Sequence, residues 1–144
     1  MKNCVYCTSP EIKQRQIVEN ELAWAFPTNI PITPGHVLVV PKRCVERYEE
    51  LTPEEKDAIE GLRLKLINAL KSLYGVEGFH YAWNEAKVTR QSVPHFHLHI
   101  VPRKEGDDGI TEYEPRKFLY RPGSREATSE EELRAVAEEI RNAI

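Results

Sequence analysis

The chain has no long hydrophobic run. None of its apolar stretches approaches the roughly 20 residues that a membrane-spanning helix needs, so no membrane association is expected. The opening Met1-Lys2-Asn3-Cys4 lacks the apolar region of a secretory signal, and the default location is cytoplasmic. Positive charge is not in excess. Lys and Arg number 20 against 23 Asp and Glu, for a net charge of −3, so electrostatics give no argument for a nucleic-acid partner. Cysteine is scarce and odd in number. Cys4, Cys7 and Cys44 are the three, and an odd count in an unsecreted chain argues against a disulfide framework. Free thiols or a metal site remain. There is no internal repeat and no low-complexity tract.

What is present suits a soluble globular protein: 40% hydrophobic and 30% charged residues over 144 positions. That length predicts one domain, 1–144, burying roughly 68–70% of its unfolded surface. The segment after Arg103 is set apart by its charge and irregularity.

The most informative run is Pro94-His95-Phe96-His97-Leu98-His99-Ile100-Val101-Pro102-Arg103, holding three of the five histidines. Side chains alternate faces along a strand. An extended run therefore puts His95, His97 and His99 on one face, about 6–7 Å apart, and turns Phe96, Leu98 and Ile100 to a core. Spacing alone leaves three readings open: metal ligation, phosphate or nucleophile chemistry, and an inert surface row. Cys4-Val5-Tyr6-Cys7 is similarly ambiguous, because a redox pair and a metal half-site share that spacing.

Gln16 to Asn20, Leu22 to Phe26, His36 to Val40, Phe79 to Trp83 and Pro94 to Val101 read as strands. After Cys7 the chain reads as a polar stretch to about Arg15. Thr52-Pro53-Glu54-Glu55 combines a capping box with Pro at the first helical position. Ala58, Ile59, Leu62, Leu66, Ala69, Leu70 and Leu73 follow at helical spacing, and Gly75 stops the helix. A final helix starts near Ser129, with Leu133, Val136, Ala137 and Ile140 as its apolar face. Arg103 to Thr128 is long and charged, a segment expected to be ordered by a partner subunit or ligand. Short strands with one helix between them predict an α+β antiparallel sheet of about five strands.

His95-Phe96-His97-Leu98-His99-Ile100-Val101 resembles the signature of the histidine triad (HIT) superfamily, three histidines alternating with apolar residues. Asn29-Ile30-Pro31-Ile32-Thr33-Pro34-Gly35-His36-Val37-Leu38-Val39-Val40-Pro41-Lys42 resembles its other block. The resemblance runs from Cys4 to about Arg103. It implies a HIT-like fold with one long helix and a C-terminal helix, and a nucleotidyl hydrolase or transferase acting at an α-phosphate. His97 would be the nucleophile, His99 a donor to phosphoryl oxygen, and His36 a fourth histidine orienting the nucleophile. Gln91, Ser92 and Asn84 match positions near the phosphates, Asn29 a ribose position, and Ile30 with Phe26 would flank the base.

The same resemblance implies a structural zinc site. Relatives with such a cysteine pair complete it with a histidine just after the Pro-Lys and with the first histidine of the triad, and in this chain a cysteine stands at the former position. Here that set is Cys4, Cys7, Cys44 and His95. Dinucleoside polyphosphates are the implied substrates. Phosphoramidate hydrolysis, a non-catalytic nucleotide-binding scaffold and a three-histidine metalloenzyme are the alternatives. A homodimer joined through the Pro53–Tyr74 helix and the Phe79 strand is also implied. Mg²⁺ accompanying the substrate is left open. One departure stands out: the loop Asn84 to Gln91 has no glycine, with Ala86 and Arg90 at positions where the family usually has it.

Overall fold

A computed structural model describes residues 4–109 and 126–144. Most of the charged segment expected to be ordered by a partner or ligand thus lies outside the described residues. Five strands form one antiparallel sheet in the order β1-β2-β3-β5-β4. They are β1 (Val18–Glu19), β2 (Ala23–Pro27), β3 (Val37–Pro41), β4 (Gly78–Ala82) and β5 (Leu98–Arg103). Among the described residues four α-helices accompany them: α1 (Val5–Thr8), α2 (Pro10–Gln14), α3 (Pro53–Tyr74) and α4 (Glu130–Ala143). Among the described residues no helix is long and apolar enough to cross a membrane.

Period-two patterning decides what each face of the sheet meets. Ala25, Val37, Val39, Leu98 and Ile100 point to one side and pack with Leu62, Leu66 and Leu70 of α3 and Ile140 of α4. Trp24, Phe26, Leu38 and Val40 point to the other side and pack with Cys4, Tyr6 and Ile12. Both faces of β2 and β3 are therefore covered, which is why these strands read as unbroken apolar runs rather than alternating ones.

α3 begins and ends where the sequence predicts. The Thr52 hydroxyl accepts from the Glu55 N–H (3.1 Å), and the Glu55 carboxylate accepts from the Thr52 N–H (2.9 Å). Gly75 closes the helix in the left-handed conformation. Gly35 has a different reason to be glycine. Its φ is +88°, and a Cβ there would lie 2.9 Å from both Leu70 and Tyr74 side chains. That close approach packs the turn before β3 onto α3.

The polar stretch before Arg15 folds into α1 and α2, with the Ser9 hydroxyl capping α2 at the Ile12 N–H (3.4 Å) and Pro10 in its first turn. Two local expectations need correction. The first strand is only Val18–Glu19. The histidine strand joins the ladder at Leu98 rather than Pro94. Pro94 has no N–H to give, and the Phe96 N–H is spent on the Val45 carbonyl outside the sheet (2.6 Å).

Candidate functional site

His95, His97 and His99 share a side of the chain, as alternation requires. The Tyr6 ring packs edge-on against both His95 (5.6 Å between centroids) and His97 (5.3 Å), and His97 lies 5.1 Å from His99. All three are buried. Their surroundings then divide them into two groups.

His95 turns to the cysteines. Its Nδ1 lies 3.2 Å from Cys4 Sγ and 3.6 Å from Cys7 Sγ. The ligand atoms of Cys4, Cys7, Cys44 and His95 all fall within 4.8 Å of one another. A tetrahedral ion bonded at about 2.0–2.3 Å sets its ligands roughly 3.5 Å apart, so modest closure would complete a sphere. The far side of the ring is already arranged for this. A carbonyl can only accept, so His95 Nε2 donates to Pro41 O (2.8 Å), and the lone pair is left on Nδ1, facing the sulfurs. Burial lowers the His95 pKa, favouring the neutral form that a ligand must have. Burial, with Cys4 beside it, pushes the Cys44 thiol up to about 12, and Cys7 is raised in the same way. Thiols crowded out of water resist ionisation, and a cation among them is what favours thiolate. The four residues fit a metal ion such as Zn²⁺.

His97 and His99 turn to a cleft of about 380 Å³, whose lining also includes Asn29, Ile30, Ser92 and Phe26. Backbone atoms set the protons here too. His97 Nδ1 donates to the His95 carbonyl (2.8 Å), so in the neutral ring Nε2 holds the lone pair. The Ile32 N–H donates to His36 Nδ1 (3.0 Å). His36 therefore carries its proton on Nε2 and donates to His99 Nδ1 (2.9 Å). His99 in turn carries its proton on Nε2. One histidine is thus a base and its neighbour a donor, both fixed by main-chain groups at the ends of two short chains of hydrogen bonds.

Some expected residues sit elsewhere. His36 is one step behind the cleft, orienting His99; the carbonyl of His95 is what orients His97. Gln91 ties its own loop together: its Oε1 accepts from the Ala86 N–H (3.0 Å) and its Nε2 donates to the Glu46 carbonyl (3.1 Å). Asn84 lines a separate depression with Tyr48, Trp83 and Glu85. The structure also brings residues to the cleft that sequence reasoning passed over. Tyr6 sits inside the Cys4-x-x-Cys7 loop, and an aromatic so placed was a usable signal. Arg15 and Glu130 line the cleft as an ion pair at 2.7 Å, and a separation of 115 positions hid that pairing. Ala86 and Arg90 both have positive φ, 69° and 70°, the conformation that glycine would supply.

The model of the HIT domain matches residues 9–106. An uncharacterized HIT-like protein of Methanocaldococcus jannaschii is 36% identical over 113 residues, which is 76% of this chain and 86% of the relative. The bis(5'-adenosyl)-triphosphatase of Dictyostelium discoideum is 33% identical over 133 residues, 90% of this chain and 86% of the relative. The crystal structure of a Zn-bound histidine triad family protein from Mycobacterium smegmatis superposes with a TM-score of 0.72 at 26% identity, covering 99% of this chain and 93% of that one.

Proposed function

The chain belongs to the HIT domain family, and from that premise we propose that it is a hydrolase of dinucleoside polyphosphates using His97 as nucleophile. The observation that carries the reading is the hydrogen bond of His97 Nδ1 to the His95 carbonyl, which leaves the Nε2 lone pair on a ring lining the cleft. Nε2 attacks the α-phosphorus, and the bond from that phosphorus to the bridging oxygen breaks. The leaving nucleotide departs as its phosphate anion or takes a proton from solvent, and the water of the second step returns one to solvent. Water then attacks the nucleotidyl-histidine, the P–N bond breaks, and a nucleoside monophosphate departs with His97 restored. The His99 Nε2–H donates to a non-bridging oxygen, where charge gathers as the transition state forms. Asn29 takes the ribose hydroxyls, Ser92 a phosphate oxygen, and Ile30 with Phe26 the base. A relative named for cleaving a bis-adenosyl triphosphate supports this choice of substrate.

Zn²⁺ on Cys4, Cys7, Cys44 and His95 would be structural. Three thiolates leave the ion with little Lewis acidity, and the fourth ligand closes the sphere. β4 is an edge strand, and a second copy adding its own β4 would give the homodimer.

The test is release of AMP from diadenosine triphosphate, diadenosine tetraphosphate and adenosine phosphoramidate, each with a His97→Asn control. The first two should turn over, and the variant should lose roughly 10³-fold or more in kcat while melting as the wild type does. Full turnover by His97→Asn would refute the nucleophile. Cleavage of the phosphoramidate alone would refute the phosphoanhydride substrate.

A further inference from the structure

Arg15 is buried with a side-chain exposure of only 4%. Its donors can be accounted for one by one. Nε donates to the Pro27 carbonyl (3.1 Å), and Nη1 donates to both carboxylate oxygens of Glu130 (2.8 and 2.7 Å). Nη2 makes no hydrogen bond among the described residues. An unmatched donor on a buried charged group is costly, and this one belongs to a side chain lining the same cleft as His97 and His99.

Sheet register fixes which end of the cleft it occupies. Phe26 pairs with Leu38, and Leu38 pairs with His99, so the three form one row across the sheet. Phe26 is two strands, about 10 Å, from His99. The Arg15 guanidinium lies 5.9 Å from the Phe26 ring centroid. The cleft thus runs from two histidines, over Leu38 and Phe26, to an arginine–carboxylate pair. Glu130 opens α4, and the Thr128 N–H just before it donates to the Asn29 carbonyl (2.7 Å). The C-terminal helix is thereby seated on both the loop assigned to the ribose and the far end of the cleft.

We infer that Arg15 and Glu130 read the edge of the nucleobase, Nη2 donating to a ring acceptor and the Glu130 carboxylate accepting from an adjoining amino group. This rests on the nucleotide reading above and assigns its base-specifying residues. A donor beside an acceptor complements an edge with an acceptor beside a donor, as a ring nitrogen and the exocyclic amine of adenine provide. Nothing in the reaction requires the pair, since it lies beside Phe26, two strands away from His99.

Equilibrium binding of AMP and of ribose 5-phosphate to zinc-loaded protein tests this, comparing wild type with Arg15→Lys. Lysine keeps a cation beside Glu130 but loses the planar fork. The variant should lose about tenfold or more in AMP affinity and stay within about twofold for ribose 5-phosphate. Equal losses for the two probes, or unchanged AMP binding, would overturn the inference. If wild-type protein binds neither probe, the nucleotide reading itself fails and takes this one with it. Should Arg15→Lys not fold, a crystal structure of the wild type with AMP decides. Nη2 within about 3.2 Å of a base nitrogen supports the inference, and a base turned away from Arg15 overturns it.

Discussion

Replacing Ala86 by glycine should stabilise the protein, although it removes a methyl group and adds no contact. Ala86 has φ 69° and ψ 161°, a region open essentially to glycine alone and costing other residues about 1–3 kcal/mol. The surroundings hold it there. Its N–H donates to Gln91 Oε1, and its carbonyl accepts from the Thr89 N–H (3.2 Å), the Gln91 N–H (3.3 Å) and the Thr89 hydroxyl (2.9 Å). Every one of these bonds uses main-chain atoms of residue 86, so glycine keeps them all. Against the relieved strain stands the greater freedom of glycine in the unfolded chain, about 0.5–1 kcal/mol. The net gain is about 1 kcal/mol, or a rise in Tm of about 2–4 °C for a domain of this size. Urea unfolding followed by circular dichroism measures it, with an unchanged m-value as the check that only stability moved. Ala86→Val should go the other way, because a β-branched side chain tolerates positive φ still less. A midpoint that fails to rise in Ala86→Gly would refute the claim that this loop stores strain.

Gly35→Ala should cost about 2 kcal/mol or more, since its Cβ would meet Leu70 and Tyr74 at 2.9 Å with φ at +88°; thermal melts would show it. Cys44→Ala should lower Tm and reduce bound zinc below a tenth of an equivalent by atomic emission, while the folded variant keeps turnover. Lost turnover at unchanged Tm would contradict a structural metal. Glu55 is held below the usual carboxylate range chiefly by its hydrogen bonds from Arg43, with the Thr52 N–H adding to them. A depressed folded pKa gives stability that is present above the unfolded pKa and lost as pH falls through the folded one. Glu55→Gln should therefore lose stability at pH 7 and show a shallower decline on acidification below about pH 4, read from melts across pH.

The sheet, α3 and the histidine face were legible because each rests on a short-range period. Alternation at His95 to Ile100 and helical spacing from Ala58 to Leu73 are local properties of the chain. The metal cluster was legible only through resemblance, since Cys4-x-x-Cys7 is compatible with two chemistries. Other features depend on distant groups. That His36 supports His99 rather than His97 is decided by one Ile32 N–H pointing at Nδ1. That Gln91 serves its loop is decided by the Ala86 N–H and the Glu46 carbonyl. No pattern in the chain announces that Arg15 meets Glu130, because each looks like an ordinary surface charge beside a helix. The absence of glycine from the loop Asn84 to Gln91 was visible at once, and its meaning is a matter of two dihedral angles at Ala86 and Arg90.

Main-chain groups, more than titration, set the division of labour along the triad. A side-chain partner could shift its proton with pH; a peptide carbonyl or N–H cannot. Pro41 O holds the proton on Nε2 of His95, His95 O holds it on Nδ1 of His97, and the Ile32 N–H holds it on Nε2 of His36 and so of His99. Adjacent histidines with the same intrinsic chemistry are thereby given opposite tautomers: a lone pair toward the cysteines, a lone pair on the cleft-lining ring of His97, and a donor beside it. His95 belongs to both halves. Its ring joins the cysteines, and its carbonyl orients His97. A metal bound there would add to the anchoring that the Pro41 carbonyl, through the His95 ring, and the Val45 carbonyl, through the Phe96 N–H, already give the peptide from which His97 takes its direction. On this arrangement the proposed structural ion and the proposed nucleophile would share one residue, the first through its ring and the second through its carbonyl.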